Sequence, residues 1–221
     1  ATQGNTFGQN KLGDMYYKGR GTNQDYKESF KWFEKAAIQG DAEAQYWLGV
    51  LFHFGKGVNQ DYKEAFKWFE KAAIQGNAEA QYSLGIMYYL GISVNQDYKE
   101  AFKWYEKAAT QGNAFGQNKL GDMYYLGISV NQDYKEAFKW YEKAATQGNA
   151  DAQYNIGNMC RLAQGTNQDY KEAFKWYEKA AIQGNADGQN KLGDMYYYGR
   201  GTTQDYKEAF KWYEKAAIQG N

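Results

Sequence analysis

The chain of 221 residues has no proline, one cysteine, one histidine and no net charge. With 26 Lys and Arg against 26 Asp and Glu, no global basic field draws in nucleic acid or an anionic membrane. Cys160, standing alone, excludes an internal disulfide framework. His53 is the single imidazole and lies far from Cys160 in sequence, so no Cys–His or Ser–His–Asp arrangement is expected. Nor do His, Cys and carboxylates cluster with metal-ligand spacing. Catalysis, a metal and a cofactor are therefore not expected. No stretch approaches the roughly 18 apolar residues of a membrane span, and the mean hydropathy is −0.89. Ala1 to Asn5 reads as the tail of a repeat and not as a secretory leader. Gly55-Lys56-Gly57 shares only composition with a phosphate-binding loop, since the preceding strand and the wider glycine spacing are missing. It reads as a turn.

Aromatic residues make up 19% of the chain, which argues against disorder, and 25 glycines supply the punctuation that proline does not. Trp32, Trp68, Trp104, Trp140, Trp176 and Trp212 stand 36 residues apart, with only Trp47 outside the series. The repeats read 5–40, 41–76, 77–112, 113–148, 149–184 and 185–220, one array over 1–221. Sixteen of the 36 places are identical in all six repeats, fourteen of them in the second half.

That second half predicts an amphipathic helix. In repeat 2, Asp61 and Glu64 form a capping-box-like start, and Gly76 suits a left-handed end. At 100° per residue, Tyr62, Ala65, Phe66, Trp68, Phe69, Ala72 and Ala73 share a sector about 160° wide. The lysines and glutamates between them read as a solvated face. Tyr62 and its equivalents, like Tyr88 and its equivalents, are expected in the core. The first half is helical too, with Ala80, Leu84, Met87 and Tyr88 on one side in repeat 3. Gly85 and its counterparts sit mid-helix at a cost of about 1 kcal/mol each, which suggests close helix–helix approach. Short linkers then make six antiparallel hairpins, stacked as a solenoid.

The residues Ala80-Gln81, Leu84-Gly85, Tyr88, Gly91, Asp97, Ala101, Trp104-Tyr105, Lys107-Ala108-Ala109 and Gln111-Gly112 resemble the Sel-1-like repeat (SLR), a relative of the tetratricopeptide repeat. The same marks recur through the whole chain. Repeat 5 departs, with Cys160, Arg161 and Ala163 where Tyr, Tyr and Gly are usual. The cysteine-rich secreted branch carries paired cysteines in each repeat, and this chain does not. The resemblance implies an all-α, right-handed solenoid of six helix-turn-helix repeats and about 12 helices. It also implies an adaptor or assembly scaffold, often in bacterial signalling, envelope biology or host interaction.

The repeats disagree mainly on one stripe of the first helix, at i, i+4, i+7 and i+11, which spans about 60°. Three readings compete: a concave groove that holds a partner, packing against the adjacent repeat, and drift on a solvated face. Drift accounts for Lys11, Asp14 and Asn158. It accounts poorly for apolar members, because contiguous exposed apolar patches are uncommon on soluble monomers. The candidate groove residues are Tyr46, Trp47, Val50, His53, Phe54, Tyr82, Ile86, Tyr89 and Leu90, continued by Lys119, Asp122 and Tyr125. Tyr and Trp are the residue types that favour binding hot spots. The expected partner is a protein or peptide, with no nucleic acid and no membrane insertion. A carbohydrate or cell-wall ligand, or a duplicated or engineered architectural array without a ligand, are the alternatives. Tyr206, Phe210, Trp212 and Tyr213 on the last helix lack a polar capping repeat, so either a longer chain or end-to-end self-association is expected.

Overall fold

The computed structural model describes residues 4–219. Among them are twelve α-helices and no strand: α1 (Thr6–Lys18), α2 (Tyr26–Ile38), α3 (Ala42–Phe54), α4 (Tyr62–Ile74), α5 (Ala78–Leu90), α6 (Tyr98–Thr110), α7 (Ala114–Leu126), α8 (Tyr134–Thr146), α9 (Ala150–Leu162), α10 (Tyr170–Ile182), α11 (Ala186–Tyr198) and α12 (Tyr206–Gln219). They form two compact units divided between Gln111 and Gly112. Within each unit, consecutive helices pair, first within a repeat and then between one repeat and the next.

Each second helix begins on an aspartate. Asp61 Oδ1 accepts from the backbone N–H of Lys63 at 2.9 Å and of Glu64 at 3.1 Å, and the other five second helices repeat the pattern. Such a cap stabilises a helix by about 1 kcal/mol. The reciprocal half of a capping box is not formed. The Asp61 N–H donates to the carbonyl of Phe52 at 3.0 Å, tying the linker to α3, and Glu64 pairs with Lys67 instead. First helices end on a left-handed glycine such as Gly55, φ +64°. In repeat 5 the turn survives with Ala163 in that conformation, φ 57°. A side chain there costs roughly 1–2 kcal/mol.

The mid-helix glycines are where paired helices touch. A Cβ on Gly49 would lie 2.7 Å from Cδ1 and Cε1 of Phe69, a ring only 4% exposed. Gly85, Gly121, Gly157 and Gly193 face Tyr105, Tyr141, Tyr177 and Tyr213 in the same way. Burying such a ring contributes about 1.5–3 kcal/mol, which only a glycine opposite permits. Ala65, Ala72 and Ala73 are buried beside Phe69, and Ala80, Leu84 and Met87 join the same core from α5.

A chain of glutamines joins repeat to repeat. Gln45 Nε2 donates to the carbonyl of Ala37 in the preceding repeat at 3.0 Å, and Gln45 Oε1 accepts from Gln75 Nε2 at 2.7 Å. Gln81 and Gln111 repeat this in α5 and beyond α6, and Gln153, Gln183, Gln189 and Gln219 repeat it in the second unit. A buried amide must find partners, and here the backbone end of the previous helix supplies one.

Tyr62, Tyr98 and Tyr206 are exposed rather than core residues, whereas Tyr26, Tyr134 and Tyr170 are half-buried against the core. Tyr62 is 41% exposed and Tyr206 59%. All six occupy the first helical position after the cap, so they overhang the hairpin's open end. There most of them meet the ring at the end of the preceding helix edge-on, as Tyr62 meets His53 with centroids 5.1 Å apart. Tyr88 is half-buried, edge-on to Phe66 at 5.6 Å.

Candidate functional site

In α3 and α5, side chains three, four and seven residues apart emerge on one face. Between them lies an open cleft of about 220 Å³. Tyr46, Val50, His53 and Phe54 line it from α3, Phe69 from α4, and Tyr82, Ser83, Ile86 and Met87 from α5. Six of the residues singled out in the sequence therefore converge. Trp47, Tyr89 and Leu90 do not line it. The Trp47 ring stacks on Phe33 of the preceding repeat, with centroids 6.0 Å apart and planes 12° apart, and also meets Tyr17 at 4.9 Å. Its place is inter-repeat packing. Tyr89 stands against Tyr98 at 5.1 Å, and Leu90 is exposed. Phe69 and Met87 are lining residues outside the stripe, and Ser83, a stripe position, lines the cleft too although it was not among the candidate groove residues.

The cleft carries no formal charge. Burial lowers the His53 imidazole below its ordinary 6.5, so it is neutral at pH 7. Its Nδ1 is, among the described residues, the one buried side-chain nitrogen or oxygen without a hydrogen-bond partner. Burial, with Glu79 adding to it, pushes the Tyr46 hydroxyl up to about 12, so it too stays neutral. Phe54, 62% exposed, forms one rim. Such a surface can desolvate an apolar or aromatic side chain; it offers no activated nucleophile.

The polar members of the stripe have a different task. Tyr141, Tyr177 and Tyr213, buried or half-buried, donate their hydroxyls at 2.8 Å to Asp122, Asn158 and Asp194. Asn158 is therefore a required acceptor, which overturns its reading as drift, because an unpaired buried hydroxyl costs about 1–3 kcal/mol. Burial and the neighbouring carboxylates push the Tyr141 and Tyr213 hydroxyls well above the phenol range. Repeat 2 has Phe69 and Val50 at the corresponding places. With no hydroxyl to satisfy, the cleft there can be apolar.

In the second unit, Asp122, Tyr125, Leu126, Tyr141, Asn155 and Asn158 line a polar cleft of about 200 Å³. Lys119 pairs with Asp122 at 3.0 Å, and the Tyr125 hydroxyl donates to Gln164 at 2.9 Å. Asp122 and Tyr125 thus belong to a site of opposite chemical character to the apolar cleft, and Lys119 touches that site through Asp122. Among the described residues, no group of three or more His, Cys, Asp or Glu could hold a metal ion, and no helix is long and apolar enough to cross a membrane.

Comparison with known proteins places these features. The chain is similar to c5321, a protective antigen of uropathogenic Escherichia coli with an SLR fold, at 41% identity and a TM-score of 0.88. That match covers 99% of this chain but only 47% of the antigen, so the chain spans about half of that relative's length. A Sel1 repeat protein from Oxalobacter formigenes is 37% identical with a TM-score of 0.90, covering 97% of this chain and 88% of that one. The immunity protein Pa5087 of Pseudomonas aeruginosa, at 20% identity and a TM-score of 0.60 over 93% of this chain and 81% of its own, shares the fold alone. Comparison with curated proteins gives no match. The Sel1 repeat model matches residues 6–41, 42–77, 78–113, 114–149, 150–185 and 186–221, a frame one residue later than the spacing of the tryptophans suggested. With six consecutive matches and the α-solenoid fold of its relatives, the chain belongs to the Sel1 repeat family, whose members are generally protein-interaction scaffolds.

Proposed function

We propose that this chain is a non-catalytic scaffold that binds a peptide segment of a partner protein on the first-helix faces, with the cleft between α3 and α5 taking an aromatic or branched apolar side chain. The observation that carries the reading is the convergence of Tyr46, Val50, His53, Phe54, Tyr82 and Ile86 on one uncharged cleft of side-chain size. A carbohydrate would need polar groups aimed into the cleft, and the lining is mostly hydrocarbon. The non-catalytic part draws support from Cys160, buried and with its thiol pushed up to about 11, hence protonated at pH 7 and a poor nucleophile.

The test is selection of a displayed peptide library on the protein, counter-selected with an Ile86→Asp variant. Enriched peptides should share an aromatic or branched residue and bind the variant roughly 10–100-fold more weakly, as expected for one buried apolar side chain. Equal binding to the variant would reject the cleft. Glycans retained on an array, with no peptide enriched, would reject the peptide.

On α12 the face that a following repeat covers elsewhere is open, and either a further repeat or a second copy of the chain can cover it. Tyr206 and Phe210 on α12 are 59% and 67% exposed, whereas Phe174, at the same place on α10, packs against Tyr196 at 5.3 Å. Sedimentation velocity should show association that Phe210→Glu abolishes; a monomer at every concentration excludes the second copy.

A further inference from the structure

Only three residues of the chain are arginine, and two of them face one cavity. Arg161 reaches it from the last turn of α9 and Arg200 from just beyond α11. Lys191, Asp194 and Tyr198 of α11 and Tyr177 of α10 complete most of the wall of a space of about 50 Å³. Three cations thus surround one carboxylate, in a chain with no net charge.

That carboxylate is already engaged. Asp194 accepts from the Tyr213 hydroxyl at 2.8 Å and pairs with Lys191 at 3.0 Å. Arg161 commits only Nε, to the Tyr177 hydroxyl at 3.3 Å, which leaves its two terminal amino groups free of any such contact. The Arg200 guanidinium lies over the rings of Tyr198 at 5.2 Å and Tyr170 at 5.8 Å. Among the described residues neither arginine meets a carboxylate. The wall behind them is fixed, because Tyr177 is fully buried and donates to Asn158 at 2.8 Å. The fold does not call for Arg161: the corresponding residues are Tyr17, His53, Tyr89, Tyr125 and Tyr197, each a ring that packs on the tyrosine after the next helix cap.

We propose that this cavity binds a carboxylate group of an acidic peptide segment, with Arg161 and Arg200 supplying planar donor forks and Lys191 adding charge. A guanidinium fork matches a carboxylate in two parallel hydrogen bonds. The space holds a carboxylate, and because the net positive wall also attracts phosphate, inorganic phosphate is the competitor that the test must include. The proposal rests on the peptide-scaffold reading for the nature of the partner, but its residues are separate from the apolar cleft, so each can fail alone.

Three arginines make the test direct. In 15N-labelled protein their Nε–Hε signals can be assigned by replacing each in turn with lysine. Titration with a capped tetraglutamate peptide should shift the Arg161 and Arg200 signals saturably and leave Arg20 unmoved, while capped tetraglutamine shifts none. Arg161→Tyr, which restores the residue usual at that place and so should fold, is expected to weaken binding about tenfold, and Arg200→Gln likewise. The Ile86→Asp variant should bind tetraglutamate as the parent does, even if library selection on the apolar cleft fails. No saturable shift, equal movement of all three signals, or saturation by inorganic phosphate below the peptide concentration needed would each overturn the assignment.

Discussion

Replacing Gly49 with alanine sets two known effects against each other under the apolar cleft. A mid-helix glycine is worse than alanine by about 1 kcal/mol, so on helix propensity alone Gly49→Ala stabilises. The added Cβ would lie 2.7 Å from two ring carbons of Phe69 and 3.2 Å from a third. Phe69 is 4% exposed and packed among Ala65, Ala72, Leu84 and Met87, so its ring has little room to retreat except towards the cleft it lines. Overpacking of this kind costs about 1–3 kcal/mol. The clash should win, leaving Gly49→Ala destabilised by about 1 kcal/mol. It should also weaken any ligand of the cleft, whose floor rises. Urea unfolding gives the stability, and a double-mutant cycle isolates the cause. In a Phe69→Ala background the ring is gone, so Gly49→Ala should change sign and stabilise by about 1 kcal/mol. A stabilising Gly49→Ala in the parent chain, or the same destabilisation with and without the ring, would refute the reasoning.

Three further outcomes are expected. Gln81→Leu strands the carbonyl of Ala73 and the amide of Gln111, and should cost about 2 kcal/mol in urea unfolding; a neutral result would mean that water replaces the glutamine. Ala163→Gly relieves a left-handed alanine worth roughly 1–2 kcal/mol and adds roughly 0.5–1 kcal/mol of backbone entropy cost, so the variant should gain about 0.5–1 kcal/mol, read as a higher midpoint. His53 has a folded pKa depressed by burial, so the unfolded chain binds its proton first. Its contribution is present above the ordinary 6.5 and is lost as pH falls towards the lower folded value. The parent should lose more stability than His53→Gln between pH 7.5 and 5.5, and parallel pH profiles would contradict the burial argument.

The helices and their ends were readable from the amino acids because each signal is local. Asp61 needs only the amides two and three residues on, and Gly55 needs only its own φ. The close approach at Gly49 was readable because the penalty recurs in every repeat and must be offset by something. Trp47 was misplaced for the opposite reason. A helical wheel gives its direction from α3 but not that Phe33 and Tyr17 of the previous repeat reach it first. Tyr62 was misread because a wheel has no ends and cannot show that a first-turn ring overhangs. The tyrosine–acceptor pairs had a signal in the alternation of Phe69 with Tyr141, Tyr177 and Tyr213, opposite Val50, Asp122, Asn158 and Asp194. Phe33 opposite Asp14 and Tyr105 opposite Ile86 break that correlation, so the coordinates were needed to see it.

The glutamine chain has a genetic consequence. Gln45 and Gln75, like Gln81 and Gln111, are among the places that never vary between repeats, and the atoms they bind are backbone carbonyls or each other. This part of the joint between two repeats therefore does not depend on which repeats it joins. An in-frame recombination that removes or inserts one period keeps the glutamines for each new joint while reordering the faces of α3, α5 and their counterparts. A gene built this way can reorder its first-helix faces in whole-repeat steps while keeping the glutamine contacts of each joint.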